Sequence, residues 1–170
     1  MMVLWFEICQ AGFSLSEEDK KNRIYRMYRE YKLDFPDVAD MTPSQAARLL
    51  RQGHVIFVDA RSQAERKVSM LPGAVSKSVY LSHPNRYRGK KIVSYCTIGY
   101  RSGIFAKEMG LKGVRIYNLK AGLLGWIYAG GRIYDSRGET RRVHVYGEKW
   151  DLVPEGYQSI KFGFFEKILN

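Results

Sequence analysis

The stretch Ile92-Val93-Ser94-Tyr95-Cys96-Thr97-Ile98-Gly99-Tyr100-Arg101-Ser102-Gly103 decides how this chain is read. Its β-branched start, Ile92-Val93, is a strand signal, and the apolar spacing that follows from Ile104 to Met109 is helical. Cys96 therefore falls at the end of a buried strand, on a tight loop closing onto a helix N-terminus. Backbone N–H groups in such a loop lack helical acceptors and can turn inward, and the helix dipole adds positive potential. Arg101 contributes a full positive charge five residues after the cysteine. The run reads as a cradle for a nucleophilic sulfur with an anion held beside it.

Outward from the cradle, the pattern is one of alternating strands and helices. Val55 to Val58 is a continuous apolar run, suited to a strand covered on both faces. Further short strands are expected near Ala74-Val75, Ile92 to Tyr95 and Val114 to Tyr117, with a helix over Ser102 to Met109 stopped by Gly110. Thr42-Pro43-Ser44-Gln45 opens another helix, with Thr42 as cap, Pro43 in the first turn and Gln45 placed for a capping box, and Gly53 ends it. The alternation predicts an α/β sandwich with a mainly parallel central sheet and helices on both faces. Sites in such sheets lie at the strand carboxyl ends, where Asp59 and Cys96 both fall.

Upstream, Ser16 followed by Glu17, Glu18 and Asp19 is an N-cap with an acidic first turn. Ile24, Met27, Tyr28 and Tyr31 then mark an amphipathic helix ending before Pro36, its aromatic stripe read as core packing. After Gly131 the periodicity weakens. Val143, Val145, Tyr146, Trp150, Tyr157, Phe162, Phe164 and Phe165 nevertheless give that segment too much apolar content for disorder. Three units follow: an extension over 1–38, a catalytic domain over 39–136, and a tail over 137–170 packing on that domain.

With 170 residues the chain is long enough for a substantial core. The formal net charge of +11 suits an anionic substrate or acidic partner, and equally a solvated basic surface. Basic residues are dispersed, without an aromatic-basic array, so no nucleic-acid partner is expected. Only Cys9 and Cys96 occur, lacking the spacing of a zinc site or a disulfide framework, and His54, His83 and His144 are scattered. No metal and no cofactor are expected. A free thiol suits a reducing, cytoplasmic setting. The apolar start MMVLWFEICQAGFSL is too short to span a bilayer and lacks a basic leader, so neither a membrane association nor a cleaved signal is expected.

The loop CTIGYRSG resembles the active site of the rhodanese family of sulfurtransferases. VIFVDARSQAERKVSMLPGAV is similar to that family's first signature, a strand ending in Asp-x-Arg followed by Pro-Gly-Ala. YNLKAGLLGWIYAGG is similar to its closing signature, with Gly125-Trp126 lacking the spacer residue. The blocks run in family order over Met41 to Tyr134. The resemblance implies a rhodanese-like three-layer sandwich and a thiosulfate sulfurtransferase working through a Cys96 persulfide. Thr97, Ile98, Gly99, Tyr100 and Arg101 would then form the anion-binding loop, with Arg101 as donor clamp or as structural tie. Asp59 and Arg61 would support the pocket by ion pairing. A small anionic sulfur donor, a thiophilic acceptor such as cyanide or a thiol, and a protein acceptor are the implied partners. Glu65 is read as a local cap or ion-pair partner, and Trp126 as core.

Two other readings use the same residues. A cysteine phosphatase or arsenate reductase also needs Cys and Arg, but such enzymes resemble a loop with five residues between them, where this chain has four. A persulfide carrier or binding module serving a protein partner is the other.

Overall fold

The computed structural model describes residues 15–161. Cys9, the apolar start through Ser14, and Phe162, Phe164 and Phe165 lie outside the described residues. The first helix, α1 (Glu17–Lys32), begins where Ser16 Oγ accepts from the Asp19 N–H, with three acidic residues in its first turn. After the short strand β1 (Asp40–Met41), helix α2 (Pro43–Arg51) starts on the full Thr42/Gln45 capping box. Strand β2 (Val55–Asp59) leads into α3 (Gln63–Val68), which opens on a second capping box, Ser62 with Glu65.

Strand β3 (Val75–Ser76), helix α4 (Lys77–Ser82), strand β4 (Lys91–Tyr95) and helix α5 (Tyr100–Leu111) follow. Strand β5 (Tyr117–Leu119) and helix α6 (Gly122–Tyr128) complete the alternation. Beyond it lie an antiparallel hairpin, β6 (Ile133–Asp135) and β7 (Gly138–Thr140), and a parallel pair, β8 (Arg142–His144) and β9 (Gln158–Ile160).

The five-stranded sheet has the order β1-β5-β4-β2-β3, and every pair in it is parallel. Its register separates two faces. Phe57 pairs with Val93, and both enter the larger core cluster with Ile24 and Tyr28 of α1, Ala46 of α2 and Leu123, Leu124 and Trp126 of α6. Ile92, opposite Ile56, turns the other way with Val58, onto Tyr80 of α4 and Phe105, Ala106 and Met109 of α5. Because strand side chains alternate, a sheet buried on both faces needs apolar residues at both parities, and the unbroken Val55–Val58 run supplies them. The molecule is an α/β three-layer sandwich.

Two local expectations are corrected. Helix α5 runs through Gly110 to Leu111 and ends at Gly113 (φ +77), where the Val114 N–H donates to Met109 O at 2.9 Å. Val114 is thereby occupied in closing the helix, so the strand expected over Val114 to Tyr117 forms only from Tyr117 to Leu119. The segment after Gly131 contains two small sheets, and Val143, Val145 and Leu152 are buried in the larger cluster. Among the described residues no helix is long and apolar enough to cross a membrane.

The turn from β5 into α6 brings its backbone against the Cys96 loop. Ala121 (φ 61) and Gly122 (φ +59) are both left-handed, and a Cβ on Gly122 would lie 2.8 Å from Gly99 N, 2.9 Å from Ile98 N, and against the Cys96 carbonyl. Gly122→Ala is therefore expected to cost about 3 kcal/mol, since backbone must move and an L-residue is held left-handed. Urea unfolding measures that loss, and a variant as stable as the parent would show that the loop can yield.

Candidate active site

Cys96 is the first residue after β4 and is 2 % exposed. The loop it begins is held from outside. Leu123 N donates to the Cys96 carbonyl at 2.8 Å and Leu124 N to the Thr97 carbonyl at 3.0 Å. Asn118 Nδ2 donates to the Gly99 carbonyl at 2.8 Å. With these carbonyls drawn outward, the Gly99 N–H turns onto Cys96 Sγ at 3.2 Å. The N–H groups of Thr97, Ile98, Tyr100 and Arg101 find no acceptor among the described residues. Gly99 makes this turn with φ +95, directly over the Tyr28 ring of α1. Asn118 also accepts from Ser102 Oγ at 2.7 Å and donates to Tyr28 Oη at 3.0 Å, and Tyr28 in turn donates to Asp40 Oδ1 at 2.6 Å. The loop rests on α1 and β5 as much as on its own helix.

Asp59 and Arg61 form a fully buried ion pair, with Nη2 2.7 Å from Oδ2 and Nε 2.9 Å from Oδ1. Arg61 Nη2 also donates to Ser69 O at 2.5 Å. Tyr95, the residue before the cysteine, donates its hydroxyl to Asp59 and accepts from Leu71 N at 3.1 Å. The Arg61 guanidinium lies 5.4 Å from the Tyr95 ring centroid. Burial, then the Asp59 charge, raises the Tyr95 phenol well above its ordinary value and keeps it a donor. The pair braces the end of β4 from β2, and neither residue lines the cavity over Cys96.

Arg101 is paired with Glu65. Nη1 and Nη2 reach Oε2 and Oε1 at 2.7 and 2.6 Å, a bidentate contact between a buried carboxylate and a partly exposed guanidinium. Glu65 also accepts the Ser62 N–H at 2.9 Å, as the capping box requires, and His144 Nδ1 lies 3.3 Å from its Oε1. Burial alone would raise the Glu65 carboxyl. Hydrogen bonds from Arg101 and His144, the Arg101 charge and the Ser62 N–H outweigh it, and hold the group well below the usual carboxylate range. Arg101 thus serves as a tie between the loop and α3.

Over the sulfur is a cavity of about 350 Å³, lined by Tyr31, Cys96, Thr97, Ile98, Tyr100, Arg101, Tyr146 and Trp150. Sequence reasoning placed Cys96 through Arg101 here and left out the rest. Glu65 carried a signal, the Ser62-x-x-Glu65 capping pattern, but that pattern says nothing of Arg101. Tyr31 packs against the larger core cluster, as the aromatic stripe of α1 implies, and its ring also stands 5.1 Å from Tyr100 at the cavity wall. Asn118, His144, Tyr146 and Trp150 had no readable signal, because each reaches the site only through the fold. Trp126 is core, packed edge-on to Phe57 with Nε1–H donating to Arg132 O at 2.9 Å. Among the described residues no cluster of His, Cys, Asp and Glu is arranged to hold a metal ion.

A fold and site of this kind define a family. The model of the rhodanese-like domain matches residues 42–129, and the chain belongs to that family. The tRNA sulfurtransferase of Desulfurococcus amylolyticus is 34% identical over 116 residues, covering 65% of this chain and 23% of that protein. The tRNA uridine(34) hydroxylase of Bordetella petrii is 28% identical over 170 residues, covering 85% of this chain and 66% of that protein. The chain thus spans about a quarter of the first relative and just under two thirds of the second. Thiosulfate sulfurtransferase from Pseudomonas aeruginosa matches with a TM-score of 0.54 at 17% identity, over 76% of this chain and 26% of that one. A Bacillus halodurans protein matches at 0.53 and 21% identity, over 88% and 98%. These two structures share the fold.

The Glu65 contacts have a pH signature. A carboxyl depressed in the native state stabilises the fold above its unfolded value of about 4.3, and that contribution is lost as pH falls through the lower folded value. Glu65→Gln keeps an acceptor for Ser62 but leaves Arg101 and His144 facing a neutral amide. The variant is expected to be about 1–2 kcal/mol less stable near neutrality, a figure reduced because Arg101 is partly solvated. The deficit should narrow below about pH 4, where Glu65 of the unfolded parent takes up a proton that the folded carboxylate still resists. Urea unfolding across acid pH checks this, and a deficit that does not change with pH would contradict it.

Proposed function

We propose that this rhodanese-like chain transfers sulfane sulfur through a persulfide on Cys96. The supporting observation is the Gly99 N–H aimed at Sγ within a loop whose carbonyls are bonded outward, at the floor of an open cavity. The Cys96 thiolate attacks the outer sulfur of a donor such as thiosulfate. The donor S–S bond breaks, its electron pair leaves with sulfite, and Cys96–S–S⁻ remains. The Gly99 N–H, with the loop amides that have no acceptor of their own, stabilises the charged terminal sulfur. A nucleophilic acceptor, cyanide or a thiol, then attacks that sulfur and regenerates the Cys96 thiolate. Asp59, Arg61 and Glu65 act by positioning the loop. Chemistry on a free thiol fits a reducing, cytoplasmic setting.

Phosphatase or arsenate reductase chemistry is disfavoured on the same geometry. Such enzymes carry five residues between the Cys and the Arg to hold a tetrahedral oxyanion, and only four separate Cys96 from Arg101. The chemistry also needs a general acid, and no carboxylate lines the cavity among the described residues. For the acceptor, the relatives widen the reading. Two are named for reactions on tRNA, one of them for sulfur transfer, and the chain carries a net charge of +11, so sulfur passed onward into tRNA has support from that one relative. The expectation of no nucleic-acid partner, drawn from the lack of an aromatic-basic array, is not supported by these relatives.

Intact mass spectrometry before and after incubation with thiosulfate tests the proposal. Parent protein is expected to gain one sulfur atom, removable by cyanide. Cys96→Ser should gain none and lose at least ~1000-fold in turnover, since an alkoxide cannot form the persulfide. Substantial turnover by a folded Cys96→Ser variant would defeat the assignment.

A further inference from the structure

We propose that the cavity above Cys96 is a subsite for a ring-bearing organic sulfur acceptor, walled by Tyr31, Tyr146 and Trp150 from outside the matched family span. The acceptor role rests on the persulfide reading above, whereas the ring preference is a property of the cavity alone.

Size is the first argument. At roughly 30 Å³ for each water-sized group, the five heavy atoms of thiosulfate would fill about 150 Å³. The cavity holds about 350 Å³, at the small end of the range for organic ligands. Lining is the second. Four of its eight lining residues are aromatic. Tyr31 and Tyr100 stand 5.1 Å apart at 56°, and Tyr146 and Trp150 stand 6.1 Å apart at 88°. Trp150 Nε1 donates to Tyr31 Oη at 3.3 Å, fastening the post-domain segment to α1 across the wall. Rings held in tilted pairs present edges and faces to which a further ring adds favourably.

Charge is the third argument. Among the described residues Arg101 is the only cationic side chain lining the cavity, and its two terminal nitrogens are paired with Glu65. Its guanidinium also lies 5.8 Å from the Tyr146 ring centroid. A site built mainly to capture a free inorganic dianion would leave that cation unpaired. Here the cavity offers apolar surface and rings above a reactive sulfur.

The origin of the wall bears on specificity. Tyr31 belongs to α1, and Tyr146 and Trp150 follow β8, so all three lie outside residues 42–129. The matched domain supplies the nucleophile and its amides, and the flanking segments supply the surface that selects what reaches them. In the transfer step the acceptor thiolate attacks the terminal sulfur of Cys96–S–S⁻. The S–S bond breaks, its electron pair returns to Cys96 as thiolate, and the acceptor leaves as its own persulfide anion.

Two ratios test the proposal. The first is the second-order rate of persulfide discharge by benzyl mercaptan over that by 2-mercaptoethanol, two alkyl thiols of similar basicity, referenced to the same ratio on glutathione persulfide. The second is Cys96 alkylation by N-benzyl iodoacetamide over iodoacetamide, which needs no persulfide. In the parent both ratios should exceed the free-solution reference by about 10-fold. In Trp150→Leu and in Tyr146→Ala they should fall at least about 3-fold. Each variant is read as a ratio within one protein, so a general loss of reactivity cancels. Tyr146 is 52% exposed, which makes its truncation the variant least prone to unfold. Ratios equal to the reference in the parent, or unmoved in both folded variants, would overturn the subsite even if the persulfide forms. Raised alkylation ratios in a protein that never acquires sulfur would uphold the ring site and overturn the sulfur-transfer reading instead.

Discussion

Two hydrogen bonds hold this site in order: Leu123 N to the Cys96 carbonyl and Leu124 N to the Thr97 carbonyl. A nucleophile loop needs its N–H groups pointed at the reacting atoms, and the carbonyls must then face elsewhere and find donors, because buried acceptors without partners are costly. The first turn of α6 has N–H groups with no acceptor in their own helix. The left-handed Ala121-Gly122 turn brings those donors to the loop from behind. Two sets of unsatisfied backbone groups, one on each element, complete each other.

The cost of that arrangement is crowding. The contact at Gly122 admits no side chain, and Gly99 tolerates none above Tyr28. A loop this tightly enclosed is fixed before any ligand arrives, so the amide directed at the sulfur need not reorganise during reaction, which is the condition under which such dipoles are most effective. The same rigidity explains why polar residues gather around it. Asn118 satisfies three groups at once, and Tyr95, Asp59 and Arg61 form a buried network against β2. Each partner orients the next, so buried polarity here specifies geometry while Phe57, Leu123 and their neighbours supply the apolar burial.

Arg101 shows how a charge can be present in a site without being offered to a ligand. Its pairing with Glu65 secures the first turn of α5 to α3, and Glu65 also faces His144, so the post-domain segment is drawn onto the same carboxylate. The cavity is thereby left apolar at its walls and polar at its floor. On the proposed reading that contrast sorts ligands, a small reactive head going to the amides and an organic body to the rings.

How much of this was legible in the residues follows from how local each feature is. Both capping boxes, the buried strand over Val55–Val58, the cysteine at a strand end and the helix behind it depend on near neighbours in the chain. Period, caps and turn residues therefore determined the sandwich and the position of Cys96 by sequence alone. The strand at Tyr117–Leu119 was displaced in the reading because its apolar run is shared with the closing turn of α5, and only pairing with β1 and β4 decides where the ladder begins. The partner of Arg101 lies 36 residues away, and Tyr31 meets Trp150 across 119. No periodicity encodes such contacts. They arise because a parallel sheet returns each crossover to the same edge, gathering strand ends and flanking segments from distant parts of the chain. The tertiary structure alone brought Arg101 onto Glu65 and set the rings of Tyr31, Tyr146 and Trp150 around the cavity over Cys96.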